Sequence, residues 1–159
     1  MKLRAGALAV LLLGALGGPA LMLPAESAGA ASLSLPLVYT CTTADTIAPT
    51  GADTLTTVGT SACSGLLAQQ ATTSISLVSP IPLVSLSVPL STSSASCSSC
   101  TSLVGRDSAT VLPVSGLTYQ GSFVDTITAP AGSTFLPTPG CTTAAPNVLV
   151  CVATSTYTY

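Results

Sequence analysis

The sequence contains no histidine and no tryptophan, and only 5% of its residues are charged. Its one lysine and its one glutamate, Lys2 and Glu26, both lie near the start. Acid–base and nucleophilic catalysis need a group that titrates or is activated near neutral pH. Without such a group, and without a GxSxG motif, we predict that the protein is not an enzyme and uses no cofactor. Nucleic acid is not an expected partner, because Arg106 alone cannot neutralise a phosphate backbone.

The N-terminal segment has the order of features that is typical of a secretory signal peptide. Lys2 and Arg4 precede an apolar run over residues 5–16, and small residues follow at 28–30. A retained membrane anchor is the alternative, but glycines and a proline interrupt the run and no basic stop-transfer cluster follows it. We therefore predict a signal peptide over residues 1–30, and a protein that is secreted or held at the cell surface.

The rest of the chain, residues 31–159, has the length of a single domain with a modest core. It contains no second apolar run long enough to cross a bilayer as a helix. Serine and threonine supply most of its polarity, whereas about a quarter of the residues of an ordinary soluble domain are charged. Since charged side chains normally protect exposed sheet edges, we expect edges that are covered or that take part in binding. The charged residues of this segment are Asp45, Asp53, Arg106, Asp107 and Asp125.

Aliphatic residues alternate with serine and threonine, glycine and proline recur at short intervals, and no helical stripe follows the N-terminal segment. This pattern predicts an all-β fold, an antiparallel β-sandwich with immunoglobulin-like architecture by analogy, stapled by disulfides. The segment GLLAQQ, residues 65–70, is the only candidate for a helical turn. The predicted strands are residues 33–42, 54–60, 73–78, 83–90, 109–114, 117–128, 134–136, 148–153 and 154–159.

The stretch SLVSPIPLVSLSVPLS, residues 76–91, alternates like a strand but contains three prolines. Prolines remove backbone donors, so such a strand can pair fully on neither edge. The apolar phase also changes between Leu83 and Val84, and a one-residue slip exchanges the two faces of a strand. We predict a bend or bulge there, in a strand at the margin of the sandwich. An extended linker between two lobes is the alternative.

Six cysteines in an exported chain predict three disulfides. A loop over residues 145–147 and a turn centred on Ala52 would each place two cysteines opposite one another in a hairpin. The other two cysteines lie close together in a serine-rich loop, residues 91–102. A bridge between the two sheets, such as Cys63 with Cys151, is the alternative. The predicted pairs are Cys41–Cys63, Cys97–Cys100 and Cys141–Cys151.

Cys97 and Cys100 also form a CxxC motif, which raises the alternatives of redox chemistry and metal binding. Redox cysteines of this kind are activated at a helix N-terminus, and the flanking residues carry no helix signal. A zinc site needs a second pair of ligands, and the sequence has no histidine. A structural disulfide is the prediction.

Three aspartates, Asp45, Asp53 and Asp125, are candidates for a calcium site made of loop oxygens. Ordinary turn residues, whose side chains bond to nearby backbone, are the alternative that we favour. We therefore predict no metal site, unless these three side chains converge.

These observations predict a noncatalytic structural or interaction protein, which contacts partners through neutral Ser/Thr-rich faces and can associate with copies of itself. Two alternatives stay open. One is a binding module for carbohydrate or a small ligand, which would need aromatic side chains clustered on one face; the other is a calcium-dependent adhesin. The aromatic residues of residues 31–159 are Tyr39, Tyr119, Phe123, Phe135, Tyr157 and Tyr159.

Overall fold

The computed structural model describes residues 37–78 and 87–159, and every regular element in these two segments is a β-strand. The predicted signal peptide lies outside the described residues, as does the predicted bend near Leu83 and Val84. The all-β class is confirmed, together with the presence of disulfides. The strands are β1 (Val38–Tyr39), β2 (Cys41–Pro49), β3 (Thr54–Val78), β4 (Ser87–Thr110), β5 (Thr118–Thr128), β6 (Thr134–Phe135), β7 (Cys141–Ala145) and β8 (Val148–Thr158).

Strand β3 organises the sheet because both of its halves pair on both edges. One edge pairs with β4 on either side of the bend, and the other edge pairs first with β2 and then with β5, all antiparallel. Strands β8 and β7 continue the sheet beyond β5. A separate parallel pair joins β1 to β6. The result is one curled, open sheet, and the immunoglobulin-like sandwich stays a prediction.

Two of the three register shifts between β3 and β4 lie near the middle of these long strands and bend them. The register between β3 and β4 shifts between Ala62 and Leu67, and again between Leu67 and Gln69, where β4 carries an extra residue within Cys97–Cys100. Such bulges bend a strand and increase its twist. The N-terminal half of β3, with β2, thereby folds over the C-terminal half, with β5 and β8. The two halves lie face to face, since the ring of Phe123 on β5 lies directly against Gly59 in the first half of β3.

Two sequence-based expectations fail at this bend. Residues 65–70 belong to β3, so the predicted helical turn is wrong, and residues 91–102 belong to β4 and do not form a loop. The physical reason is alternation imposed by packing. Leu67 and Gln69 point inward and are buried, whereas Leu66 points outward and is 65% exposed. This alternation with a period of two residues is typical of a strand and not of a helix.

Inward-facing residues form three apolar clusters along the fold. One end holds Leu67, Ile127 and Leu149 beside the disulfides; the middle holds Phe123; the other end holds Leu55, Ile75 and Tyr119. Polar side chains lie between these clusters: Thr57, Ser61, Gln69, Thr73, Asp107 and Asp125 are all buried. The core is therefore part apolar and part hydroxyl, amide and carboxylate.

The structure joins Cys41 to Cys63, Cys97 to Cys100 and Cys141 to Cys151, the three pairs predicted from the sequence. The first and third link directly paired residues of the β2–β3 and β7–β8 hairpins. The second spans the bulge of β4. In the β7–β8 hairpin Ala145 already pairs with Val148, so the connecting turn has two residues instead of the expected three.

No helix within residues 37–78 and 87–159 has the length and apolar character required to cross a membrane.

Candidate functional site

The C-terminal half of β3 forms a four-stranded surface with the paired parts of β4, β5 and β8, and the outward side of this surface carries no charged residue. We call it the hydroxyl face. Along each strand its residues alternate with residues that point inward. The register places outward residues side by side: Thr72 pairs with Ser94 and with Val124, which pairs in turn with Val152. The members of the hydroxyl face are Ala68, Gln70, Thr72, Ser74, Ser76, Thr92, Ser94, Ser96, Thr118, Gln120, Ser122, Val124, Thr126, Thr128, Val148, Val150, Val152, Thr154, Thr156 and Thr158.

A shallow cavity of about 400 Å³ opens at one end of the hydroxyl face. Gln70, Ser96, Thr126 and Thr128 supply hydroxyl and amide groups to its wall, and the Cys97 side of the β4 bulge closes it. Every polar side chain in this wall is uncharged. The cavity could therefore hydrogen-bond a neutral polar group, but it offers no counter-charge to an ionic one.

Most of the acidic side chains lie away from the exposed surface of the sheet. Asp107 and Asp125 lie on inward faces and are buried, and Asp45 is partly buried. Asp53 lies in the exposed turn after β2, and Arg106 points outward from the half of β4 that lies away from the hydroxyl face. Burial of the carboxylates leaves the sheet surface neutral.

Asp45 on β2 connects this first strand of the sheet order to β8, which lies three strands away in that order. Thr57 on β3 donates its hydroxyl hydrogen to Asp45 Oδ1 at 2.9 Å, and Ser155 on β8 donates to Asp45 Oδ2 at 2.6 Å. Gly121 lies directly against this group, since a Cβ there would approach Thr57 Oγ1 to 2.3 Å. A carboxylate with charge-assisted hydrogen bonds is a strong acceptor, so Asp45 holds β2 against β8.

Asp107 makes a similar contact within one strand. Ser91 Oγ, in the first half of β4, donates to Asp107 Oδ2 in the second half at 2.6 Å. Nearby, Ser93 Oγ donates to the carbonyl oxygen of Arg106, also at 2.6 Å. These bonds hold the curled strand in its folded-over form.

Asp125 differs from the other two because neither of its oxygens has a hydrogen-bond partner, although the residue is 0% exposed. Burial raises the pKa of Asp125, and the nearby Ser61 hydroxyl and Gln70 backbone N–H oppose that change. Neither neighbour completes a hydrogen bond to the carboxyl group. The Ser61 hydroxyl donates to Gln69 Oε1 instead, at 2.5 Å. An unpartnered buried carboxyl group is rare in folded proteins and marks a candidate site.

The three calcium candidates do not gather. Asp45 binds hydroxyls at the β2–β8 contact, Asp53 accepts a long hydrogen bond from its neighbour Thr54, and Asp125 is enclosed beneath β5. Within the described segments no three acidic or cysteine side chains form a group that could hold a metal ion. The calcium hypothesis gains no support from this arrangement.

The aromatic residues divide between the two ends of the fold. Tyr39 and Phe135 pack against each other at 6.2 Å between ring centroids. At the other end Tyr159 makes edge-on contacts with Tyr119 and Tyr157, at 6.0 and 5.2 Å. Tyr119 is buried, and its hydroxyl donates to the Leu112 carbonyl and accepts from the Leu112 N–H. These tyrosines pack at the margin of the core and do not form an exposed aromatic platform.

No protein family, no curated protein and no solved structure matches this chain.

Sequence reasoning found the neutral, hydroxyl-rich character of the surface but missed the buried polar groups. Ser61, Gln69 and Asp125 come together only because β3 bends between its two halves. The bend results from β-bulges, and no sequence motif predicts their positions. The one available signal was the odd-numbered position of Asp125 in a strand whose other odd positions, such as Phe123 and Ile127, are apolar.

Proposed function

We propose that this protein is a secreted or cell-surface, noncatalytic structural or interaction protein that associates with copies of itself through the hydroxyl face. One observation carries the proposal: a broad sheet surface built from four strands without a single charged side chain. Soluble β proteins normally keep charge on exposed sheets and edges to prevent association. A protein that buries its carboxylates instead removes this barrier between copies.

The edges of the sheet support the same function. Strand β4 pairs on one side only among the described residues, with β3, and so presents a free edge next to the hydroxyl face. Pro89 lacks a backbone donor and lies near the start of this strand, where the register shifts. The part of β4 beyond Pro89 is therefore better suited to edge pairing, and face contacts would supply the rest of the interface.

The test is the solution mass of the exported protein, with its disulfides formed, measured by light scattering over a range of concentrations. Thr72→Lys combined with Thr154→Lys adds two charges to the hydroxyl face at exposed positions. Thr42→Lys combined with Thr60→Lys adds the same charge to exposed threonines on the other half of the sheet. We expect the wild type and the second variant to form a discrete oligomer or filaments, visible by negative-stain electron microscopy, and the first variant to be monomeric.

A monomeric wild type at high concentration would contradict self-association. Equal dissociation of both variants would show that net charge, and not the hydroxyl face, governs assembly. The two halves of the curled sheet face each other as the layers of a sandwich do, and the proposed sandwich architecture agrees with a surface protein of this kind.

The cavity at the end of the hydroxyl face favours a second function, the binding of a neutral polar ligand such as a carbohydrate. Its volume of about 400 Å³ falls in the range of small-molecule sites. A glycan screen with wild type and with Gln70→Ala would test this function. Binding that survives the loss of the Gln70 amide would place the ligand elsewhere.

A further inference from the structure

Three buried side chains, two from the two halves of β3 and one from β5, form one group beneath the bend of β3. Ser61 and Gln69 are each 2% exposed and Asp125 is 0% exposed. Ser61 Oγ donates to Gln69 Oε1 at 2.5 Å, and Gln69 Nε2 donates to the carbonyl oxygen of Cys100 at 3.1 Å. Neither carboxyl oxygen of Asp125 has a hydrogen-bond partner.

This group contains the components of an acyl transfer. A serine hydroxyl is a nucleophile when a base accepts its proton. A carboxamide is an acyl donor, and a buried carboxyl group without partners is a better base than an exposed one, because burial raises its pKa. Ser61 lies next to both: its hydroxyl bonds to Gln69 and is close enough to Asp125 to oppose the shift of that carboxyl.

We propose that Ser61 and Gln69 react after folding to form an intramolecular ester bond, with Asp125 as the base. Ser61 Oγ attacks Cδ of Gln69 while the Asp125 carboxylate accepts the hydroxyl proton. The Cδ–Nε2 bond then breaks, and the proton passes from Asp125 to the departing nitrogen, which leaves as ammonia. The product is a Ser61–Gln69 ester, and Asp125 is again ionised, so the step needs no oxidant, cofactor or second substrate.

The surroundings favour this reaction in three ways. Folding holds the hydroxyl against the carboxamide, which removes most of the entropic cost of bringing two groups together. The Cys100 carbonyl, presented by the bulge that the Cys97–Cys100 disulfide spans, fixes the orientation of the leaving nitrogen. Gln69 also lines the cavity of about 400 Å³, which gives ammonia a path to solvent.

The ester would link the two halves of β3 covalently across their bend. It would close a loop over residues 61–69, beside the bridge from Cys63 to Cys41. A single turnover per molecule is sufficient, so the group does not need the speed of an enzyme. This inference is independent of the proposed self-association, since all three residues are buried inside one chain.

The experiment is peptide mass spectrometry of the exported full-length protein, digested with pepsin after reduction of its disulfides. We expect the peptide that spans residues 61–69 to be lighter than its sequence by one ammonia, with no backbone fragments between those two residues. Hydroxylamine should open the ester, convert Gln69 to a hydroxamate and restore the missing fragments. Ser61→Ala and Asp125→Asn should each show the full mass.

Ser64→Ala is the matched control, because it removes an exposed serine hydroxyl from the same 61–69 segment and should keep the mass deficit. Native disulfide pairing in each variant verifies that it has folded. A full-mass peptide from folded wild-type protein would overturn the proposal, as would a mass deficit that persists in Ser61→Ala.

Discussion

The ring of Phe123 lies directly over Gly59. A Cβ atom added to Gly59 would lie 2.1 Å from Cγ and Cδ2 of that ring, much closer than any real contact. Gly105, which pairs with Gly59 across the β3–β4 ladder, leaves similar room, since a Cβ there would lie 3.0 Å from Phe123 Cε2. Two paired glycines on one half of the curled sheet thus receive one aromatic ring from the other half.

Gly59→Ala should therefore destabilise the protein strongly. The new methyl group would meet a fully buried ring, and overpacking a close-packed core costs about 1–3 kcal/mol or more. Chemical denaturation with intact disulfides measures the change in the free energy of unfolding. Gly51→Ala is the control, because a Cβ there makes only ordinary contacts, at 3.5 Å from Thr54. Equal stability of the two variants would show that Phe123 can move aside without cost.

Ser155→Ala should loosen the contact between β2 and β8. The substitution leaves Asp45 Oδ2 without the hydroxyl that now donates to it at 2.6 Å, and loss of one partner of such a bond costs about 1–3 kcal/mol. Hydrogen exchange should become faster in β2 and in the second half of β8. Thr154→Ala, one residue away on the outer face, should leave exchange unchanged. Unaltered protection of β2 in Ser155→Ala would contradict a linking role for Asp45.

The strand content and the cysteine pairing were within reach of the sequence because both depend on local signals. Alternation of small polar and aliphatic residues marks strands wherever one face is buried. Turn residues near Ala52 and Pro146 place the cysteines of each hairpin opposite one another. These signals act over a few residues and do not depend on the rest of the fold.

The length of β3 and β4 could not be predicted from the sequence, because it depends on contacts between distant parts of the chain. Sequence reasoning ends one strand at Thr60, places a helical turn over residues 65–70 and places a loop over residues 91–102, since glycine and serine normally mark turns. In the structure these small residues make room for side chains from distant strands: Phe123 covers Gly59, and Tyr39 covers Gly65. The same long-range packing creates the Ser61, Gln69 and Asp125 group, so no local pattern could reveal it.

The three disulfides should contribute unequally to stability. In the chain-entropy description a bridge stabilises in proportion to the logarithm of the loop it closes. The separations are 22 residues for Cys41–Cys63, 10 for Cys141–Cys151 and 3 for Cys97–Cys100. Replacing both cysteines of a pair with alanine should therefore cost most for the first pair, and about 2 kcal/mol more than for the last. Denaturation of the three double variants gives the order, and a larger loss for Cys97–Cys100 would contradict it.

Asp125 should make the protein more stable in acid. Its pKa is raised above the ordinary value of 3.8, because burial disfavours the ionised form in the folded state. Below 3.8 the carboxyl group is protonated in both the folded and the unfolded chain, and it imposes no penalty. As the pH rises from there through the raised pKa, the unfolded chain loses the proton first, so the free energy of unfolding falls, by at most about 1.4 kcal/mol per pH unit for one proton.

Asp125→Asn removes this titration and should flatten the pH dependence while preserving the size of the side chain. No charged group contributes to the shift among the described residues; the neighbours that act on the carboxyl are the Ser61 hydroxyl and the Gln70 N–H. Urea denaturation at a series of pH values measures the slope for wild type, for Asp125→Asn and for Asp53→Asn, an exposed turn residue that serves as control. If the free energy of unfolding changed with pH equally in wild type and in Asp125→Asn, the buried carboxyl group would have a hydrogen-bond partner that offsets the effect of its burial.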